Sequence, residues 1–198
     1  MQTVDPNAKT ISNEQAIEVA ARRGFPARHI AELTQPDFQI KPEVKATVNH
    51  ARDLLLSHGF VIAQSPIGNG KTMVGTMLGV EYAQNRRRAH YWTVKGLMSD
   101  QKMWFSMQGD KPESPFKIAQ TCALLVIDEL HANSGTAFDH SELSNIIDAR
   151  YRELKPTVVL TNIQTQNLRQ VLQDHIVDRV LDGGGLIEMT GKSLRGQR

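Results

Sequence analysis

One short stretch of the sequence combines glycines, a lysine and a threonine at a spacing that could bind phosphate. An apolar run from Phe60 to Ala63 precedes this stretch, and a segment with helical periodicity, Met73 to Ala83, follows it. A strand, a glycine-rich loop, Lys-Thr and a helix, in this order, are typical of a P-loop, in which backbone N–H groups surround an anion at a helix N-terminus. The loop consists of Ser65, Pro66, Ile67, Gly68, Asn69, Gly70, Lys71 and Thr72.

The residue types of this loop predict separate roles in holding a nucleotide and a metal ion. Gly68 and Gly70 allow the backbone N–H groups to turn inward around the phosphates. We expect Lys71 to reach the outer phosphates of ATP and Thr72 to ligate Mg²⁺. The pattern normally begins with glycine, so Ser65 fits only if its backbone angles are ordinary. The alternative, a chance Gly-Lys-Thr before a helix, does not explain the strand and helix that flank it.

A second candidate group is the acidic pair that follows a buried strand. The run from Ala123 to Ile127 is continuously apolar, as expected for a strand covered on both faces of a parallel sheet, and it ends in Asp128 and Glu129. Together with the P-loop, this pair predicts a site in which Asp128 holds Mg²⁺ through water and Glu129 orients and deprotonates the attacking water. An ordinary acidic turn is the alternative, and the upstream P-loop argues against it.

A third candidate is Asn162, which follows the predicted strand from Pro156 to Leu160. At that position its amide could reach the γ-phosphate or the attacking water, and the alternative is an asparagine that only forms a turn. His131 lies two residues after Glu129, and we interpret it as a local hydrogen-bonding residue, with nucleotide sensing as the alternative. The Asp-Glu-Leu-His sequence matches two-lobed helicases, but 198 residues are too few for a second lobe.

Composition sets limits on the class of protein. The chain has 198 residues, which predicts one domain with a short appendage, and a net charge of +2, so any nucleic-acid binding must come from a local patch. The single cysteine, Cys122, precludes an internal disulfide and suits a reducing compartment. We find no apolar run that could span a bilayer and no signal-peptide core, so we expect a cytoplasmic protein without membrane contact. The run from Arg86 to Arg88 is interpreted as a solvated helix end rather than a nucleic-acid contact.

Strand and helix patterns alternate along the chain, which predicts an α/β fold of three layers with a mostly parallel sheet. In such a sheet, ligands bind at the carboxyl ends of the strands, where the loop, Asp128 and Asn162 all fall. Ser12 and Gln15 form a capping-box pattern before the first predicted helix, which should end near Gly24. Predicted strands also cover Ala89 to Val94 and Leu186 to Met189, and residues 109–115 are expected to form a loop.

The order of these motifs resembles the AAA+ ATPases, and more narrowly the DnaC-type helicase loaders and their IstB transposition relatives. The similarity extends from about Phe25 to the C-terminus, and its segments are Ser65–Thr72, Leu124–Glu129, Ile146–Tyr151, Pro156–Asn162, Asp174–Arg179 and Ser193–Arg195. It implies a five-stranded P-loop fold, with Asn162 as first sensor, Arg179 as an arginine finger entering a neighbouring subunit, and Arg195 as second sensor. The alternatives are a helix-end ion pair for Arg179 and a frayed tail for Arg195.

The chain departs from the family in two further respects. Its C-terminus lies just after Arg195, so the C-terminal lid should be minimal or absent. The family's large N-terminal partner-binding domain is absent or reduced to residues 1–39, which we interpret as a short helical segment for docking a partner through the residues before Gly24. The alternative is that this segment packs on its own domain beside the adenine, especially from Phe25 onward. Residues 40–198 would then form the ATPase domain.

The resemblance implies a protein that binds and hydrolyses ATP with Mg²⁺, forms ATP-dependent homo-oligomers, binds single-stranded DNA and loads or opens a hexameric replicative helicase. It would be bacterial, with a phage or mobile element as a possible origin. The alternatives are an IstB-like helper of a transposase, which should prefer duplex DNA, and an ATP-gated adaptor with little turnover. Phe138, and Trp104 or Phe105, could stack on bases, although we favour core positions for all three. Lys111 and Lys117 could contact phosphates but are more simply solvated.

Overall fold

Five short strands form one parallel sheet in the computed structural model, which describes residues 10–131, 136–183 and 185–189. The order across the sheet is β2-β3-β4-β1-β5, and the neighbouring strands pair in parallel. The predicted parallel five-stranded sheet is therefore confirmed. The strands are β1 (Phe60–Gln64), β2 (Ala89–Thr93), β3 (Leu124–Leu130), β4 (Thr157–Thr161) and β5 (Leu186–Glu188).

Helices connect the strands and cover both faces of the sheet. Their bounds are α1 (Asn13–Ala21), α2 (Ala27–Thr34), α3 (Pro42–Ser57), α4 (Lys71–Gln84), α5 (Val94–Ser106), α6 (Pro115–Thr121), α7 (Ala137–Arg152) and α8 (Asp174–Asp182), with a 3₁₀ helix at Thr165–Gln170. The predicted capping box of α1 is present, since Ser12 and Gln15 exchange hydrogen bonds. Helix α6 was not predicted from the sequence, although Ser114 as a cap and Pro115 in the first turn are its start signal.

Alternate residues of the strands point to opposite faces, which divides the core into two clusters. On one face Val61, Ala63 and Val126 pack with α1, α3 and α4. On the other, Ile62 and Ile127 pack with α5, α6, α7 and α8. The three-layer architecture expected from the sequence follows from this division.

Helix α1 belongs to this core. Its Ala16, Ile17 and Ala20 are buried in the cluster that covers α4, so the apolar face of α1 packs on its own domain. Phe25 follows α1 and lies against Gly79 of α4, where an added Cβ would come within 2.1 Å of the Phe25 ring. Docking of a partner by residues 1–39 stays a prediction, but it would have to use a surface other than this face. The division at residue 39 also stays a prediction.

The prediction of a minimal C-terminal lid stays a prediction, because the lid would lie at the C-terminal end of the chain. The described part ends with β5 and Met189, whose N–H donates to the carbonyl oxygen of Gln64 at 2.8 Å. Residues 190–198, including the predicted second sensor Arg195, lie outside the described residues.

Candidate functional site

The glycine-rich loop leaves the sheet from β1, which is flanked by β4 and β5. Ser65 is fully buried, and its N–H donates to the carbonyl oxygen of Thr161 at 3.2 Å. Gly68 and Gly70 adopt positive φ angles of 94° and 84°, where a side chain would be strained, whereas Ser65 does not. Serine thus satisfies the condition set for the first position of the loop.

Lys71 begins α4 and folds back over the loop. Its Nζ donates to the carbonyl oxygens of Ser65 and Pro66 at 2.7 and 3.0 Å, and to Ser65 Oγ at 3.0 Å. Burial lowers the pKa of Lys71, and the nearby Asp128 carboxylate acts in the opposite direction. The ammonium therefore lies at the loop, at the N-terminus of α4, where an anion would also find the positive end of the helix dipole.

A cavity of about 490 Å³ opens beside the loop. One wall is formed by the loop and the start of α4, and the other by α2 and the chain leading into α3, including Arg28, Glu32, Phe38 and Lys41. This volume lies within the range of small-molecule sites, ~300–1,000 Å³. Packing of the chain from Phe25 onward on its own domain was the alternative considered for residues 1–39, and the structure places this segment against the loop. The individual wall residues were not predicted, because they match no phosphate-binding pattern and lie far from the loop in the chain.

Asp128, near the end of β3, is the meeting point of three hydrogen-bond donors. Thr72 Oγ1 donates to its Oδ2 at 2.8 Å, Tyr91 OH donates to the same oxygen at 2.8 Å, and the Glu129 N–H donates to its Oδ1 at 2.7 Å. The predicted neighbours Thr72 and Asp128 are brought together. Tyr91 was missed, although its position on a strand beside β3 could have indicated it. A hydroxyl and a carboxylate are oxygen ligands of the kind that Mg²⁺ accepts beside phosphates, so these residues fit that ion.

Glu129 lies at an irregularity in the sheet. The pairing of β3 with β4 shifts register between Ile127 and Leu130, and Glu129 has a left-handed φ of 58°. The sequence predicted a strand that ends in the acidic pair, and β3 runs one residue past that pair to Leu130. A bulge re-aims side chains, and left-handed backbone at a residue other than glycine is costly and concentrates at functional sites. The Glu129 side chain is exposed here rather than packed in the sheet.

Asn162 follows β4, and its Oδ1 lies 2.8 Å from His131 Nδ1. This hydrogen bond joins the ends of β3 and β4. His131, which we interpreted as a hydrogen-bonding residue, thus pairs with Asn162, a residue that is distant in sequence and adjacent in the sheet. With Oδ1 paired to the histidine, the Asn162 amide N–H groups remain for another acceptor.

Arg179 lies on the exposed side of α8, and its guanidinium lies 4.9 Å from the ring centroid of Tyr151 on α7. The ion pairs described on α8 are made by other residues: Arg169 pairs with Asp174 and Asp178, and His175, when protonated, pairs with Asp148. This geometry leaves Arg179 on a surface that another molecule could approach.

The aromatic residues considered for base stacking are more exposed than expected. Phe105 and Phe138 are 61% and 60% exposed, so the prediction of core positions is wrong for both. The physical reason in α5 is that its buried residues end at Gln101, so Phe105 in the last turn lies outside the buried face of the helix. Trp104 is half-buried, donates Nε1–H to the Pro112 carbonyl oxygen at 2.8 Å, and carries the Lys111 ammonium 4.8 Å from its ring centroid.

The fold and the site define an α/β P-loop domain of the AAA+ type, with the glycine-rich loop, the acidic pair and Asn162 at the carboxyl edge of one parallel sheet. The family profile described as IstB-like ATP binding protein matches residues 17–198. The chain belongs to this ATP-binding family. Within the described ranges, no helix combines the length and apolar character needed to cross a membrane.

Two relatives illustrate the family. An ATP-binding protein assigned to insertion sequence IS232 of Bacillus thuringiensis subsp. berliner is 27% identical over 175 residues, covering 84% of this chain and 69% of the relative. The replicative helicase loader DnaC of Escherichia coli K12 is 26% identical over 127 residues, covering 64% of this chain. The chain thus spans only about half (51%) of the helicase loader.

Solved structures agree on the fold. A DnaC helicase loader superposes with a TM-score of 0.64 at 17% identity, covering 83% of this chain and 100% of that one. DnaA of Aquifex aeolicus bound to AMPPCP superposes with a TM-score of 0.63 at 18% identity, covering 86% of this chain and 53% of that one. At these identities the similarity establishes the fold alone.

Proposed function

We propose that the protein is a Mg²⁺-dependent ATPase that assembles on ATP and loads a replicative helicase onto single-stranded DNA. The observation that carries the ATPase assignment is the hydrogen bond between Thr72 and Asp128, because it brings the end of the phosphate-binding loop to the acidic pair. Membership of an ATP-binding family supports the same nucleotide.

Each residue of the site has a task in this proposal. Lys71 and the loop N–H groups bind the phosphates, and Thr72 and Asp128 hold the metal ion, which when bound neutralises charge on the phosphate oxygens. Glu129 takes a proton from the attacking water, and the Asn162 amide orients that water or the γ-phosphate. Arg195 stays a predicted second sensor.

Arg179 would complete the site of a neighbouring subunit. It is exposed and positioned by Tyr151, and an arginine supplied from another molecule stabilises the charge that develops on the transferred phosphoryl group. ATP would then join subunits because both sides of the interface contact it.

The last turn of α5 supplies a surface suited to single-stranded DNA. Met103 and Phe105 are each 61% exposed, and Trp104 lies beside them with the Lys111 ammonium over its ring. Aromatic stacking contributes ~1–3 kcal/mol per base, and lysine attracts the phosphate backbone. This combination favours unpaired bases, whose faces are accessible, over duplex DNA.

A second candidate function is an ATP-dependent helper of a transposase. It is favoured by the IstB-like family profile and by the IS232 relative, which aligns over 84% of this chain against 64% for the helicase loader. Preference for duplex over single-stranded DNA, and recovery of a transposase rather than a helicase in a pull-down from the native cell, would favour this second function.

The nucleotide site is tested with two variants and a control. Lys71→Ala should abolish binding of a fluorescent ATP analogue, whereas Glu129→Gln should retain binding and hydrolyse ATP ~10²–10⁴-fold more slowly, because the amide cannot act as a base. Lys117→Ala, on α6, should behave as the parental protein. Unchanged binding by folded Lys71→Ala would contradict the assignment of the loop, and parental turnover by Glu129→Gln would contradict the role of Glu129.

Turnover separates the loader from an adaptor that hydrolyses little ATP. ATPase rates are measured with no DNA, with single-stranded DNA and with duplex DNA of the same sequence. Stimulation by single strands, together with co-elution of a replicative helicase, is the result expected of a loader. A negligible rate under all three conditions, with ATP-dependent binding of a partner, would instead indicate an adaptor.

A further inference from the structure

Tyr91 reaches the proposed metal site from the neighbouring strand. It lies on β2 and is only 7% exposed, and its hydroxyl donates to Asp128 Oδ2 at 2.8 Å. Thr72 Oγ1 donates to the same oxygen at the same distance. Two hydroxyl groups from different elements therefore hold one carboxylate oxygen.

The three hydrogen bonds to Asp128 use most of the acceptor positions of its carboxylate. An ionised carboxylate offers about four lone-pair positions, two on each oxygen. Thr72 and Tyr91 occupy both positions on Oδ2, and the Glu129 N–H occupies one on Oδ1. Of the four positions, one on Oδ1 is left once these three donors are counted.

The phenol is itself held in place. Its ring packs against Phe25 with centroids 5.6 Å apart, and the Tyr91 N–H donates to the carbonyl oxygen of Arg23 at 3.0 Å. Gly24, with φ of 86°, lies so close that an added Cβ would come within 2.5 Å of the Tyr91 carbonyl oxygen. Such close packing on both the ring and the backbone fixes the direction of the hydroxyl.

We propose that Tyr91 is a positioning residue for the metal site, which saturates Asp128 Oδ2 so that the remaining lone pair of Oδ1 receives a water molecule bound to Mg²⁺. The inference rests on the proposed function, since it concerns the same metal ion.

Removal of the hydroxyl alone tests this role, because Tyr91→Phe keeps the ring against Phe25. Binding of a non-hydrolysable ATP analogue is titrated with Mg²⁺, and binding of Mn²⁺ to the same complex is followed by electron paramagnetic resonance. We expect the metal concentration at half-saturation to rise roughly tenfold, the equivalent of one hydrogen bond to a charged group, with metal-free analogue binding unchanged. Tyr82→Phe on α4 is the matched control and should not change the metal dependence.

A double-mutant cycle separates this role from general destabilisation. If Tyr91 acts through Asp128, then in the Asp128→Asn background Tyr91→Phe should cost little further metal affinity. Equal costs in both backgrounds, or parental metal affinity in folded Tyr91→Phe, would overturn the inference while leaving the nucleotide site intact. Failure of the parental protein to bind the analogue at any metal concentration would instead overturn the proposed function, and this inference with it.

Discussion

Lys71 and Ser65 share two hydrogen bonds across the phosphate-binding loop. The Lys71 ammonium donates to the Ser65 carbonyl oxygen at 2.7 Å and to Ser65 Oγ at 3.0 Å, and a third bond joins it to the Pro66 carbonyl oxygen at 3.0 Å. The usual glycine at this position would provide only the backbone acceptor. A nucleotide must draw the ammonium away from these oxygens, so the serine hydroxyl stabilises the nucleotide-free loop.

Removal of the Ser65 hydroxyl should therefore strengthen nucleotide binding. Ser65→Ala keeps the backbone restriction and deletes one acceptor of Lys71, and the affinity for an ATP analogue should rise by about 2–10-fold, equivalent to one net hydrogen bond of ~0.5–1.5 kcal/mol. Ser65→Gly is the control for backbone freedom and should give a similar rise. An increase in Ser65→Gly alone would show that flexibility rather than the hydroxyl is responsible, and a decrease in both would contradict the argument.

As the pH rises, nucleotide binding should begin to weaken at a lower pH than it would if Lys71 were an ordinary solvated lysine. Burial lowers the pKa of Lys71 below 10.5, so in the free protein the ammonium loses its proton before a solvated lysine does. Since phosphate binding needs the charged form, affinity should fall as pH rises through this lowered pKa, with proton uptake on binding measurable by calorimetry in buffers of different ionisation enthalpy. Lys71→Arg, whose guanidinium stays charged, should lose less affinity over the same range.

Local patterns in the sequence predicted most of the fold and the residues at the edge of the sheet. The apolar runs, the capping box at Ser12 and the glycine-rich loop each carry their own signal, and β-sheet topology then brings Thr72 to Asp128. Contacts between distant segments carry no such signal. The hydrogen bonds of Tyr91 with Asp128 and of His131 with Asn162 depend on the order of the strands in the sheet. The cavity wall around Phe38 depends on the packing of α2 beside the loop.

Asn162 should affect turnover more than binding. Asn162→Ala removes the amide that would orient the γ-phosphate or the water, while the loop and Lys71 remain, so kcat should fall with little change in affinity for the analogue. His131→Ala should lower kcat by a smaller factor, because it keeps the Asn162 amide and removes only the hydrogen bond that orients it. Both are measured by steady-state ATPase assays together with analogue titrations. A loss of affinity equal to the loss in turnover would place Asn162 in ground-state binding.

Arg179 should act on the site of a neighbouring subunit. Arg179→Ala is expected to bind ATP normally and to lose most turnover, since an arginine finger can contribute ~10³–10⁵-fold. Mixing it with Lys71→Ala, which keeps the arginine but lacks a working site, should restore part of the activity in mixed oligomers. Arg169→Ala, which breaks only the surface pairs with Asp174 and Asp178, is the control. Absence of activity at every mixing ratio, with co-assembly demonstrated, would argue against a shared site.

Arg150 is a structural residue, and its removal should affect stability rather than chemistry. It lies on α7, is fully buried, and satisfies the carbonyl oxygens of Ala119, Cys122 and Pro156 at 2.8, 2.9 and 2.6 Å, with Thr157 Oγ1 as a fourth acceptor at 2.8 Å. Burial lowers the pKa of this guanidinium, and its charge is distributed over neutral oxygens that join α6, α7 and β4.

Arg150→Met keeps the length of the side chain but leaves these acceptors without their donor. A buried neutral acceptor left without its donor costs ~1–3 kcal/mol, so we expect the free energy of unfolding to fall by at least ~2 kcal/mol in urea denaturation. Arg152→Met, two residues along the same helix, removes an exposed side chain paired with Asp148 and should cost at most ~1 kcal/mol. Equal losses in the two variants would show that the buried hydrogen bonds of Arg150 contribute no more than a surface ion pair.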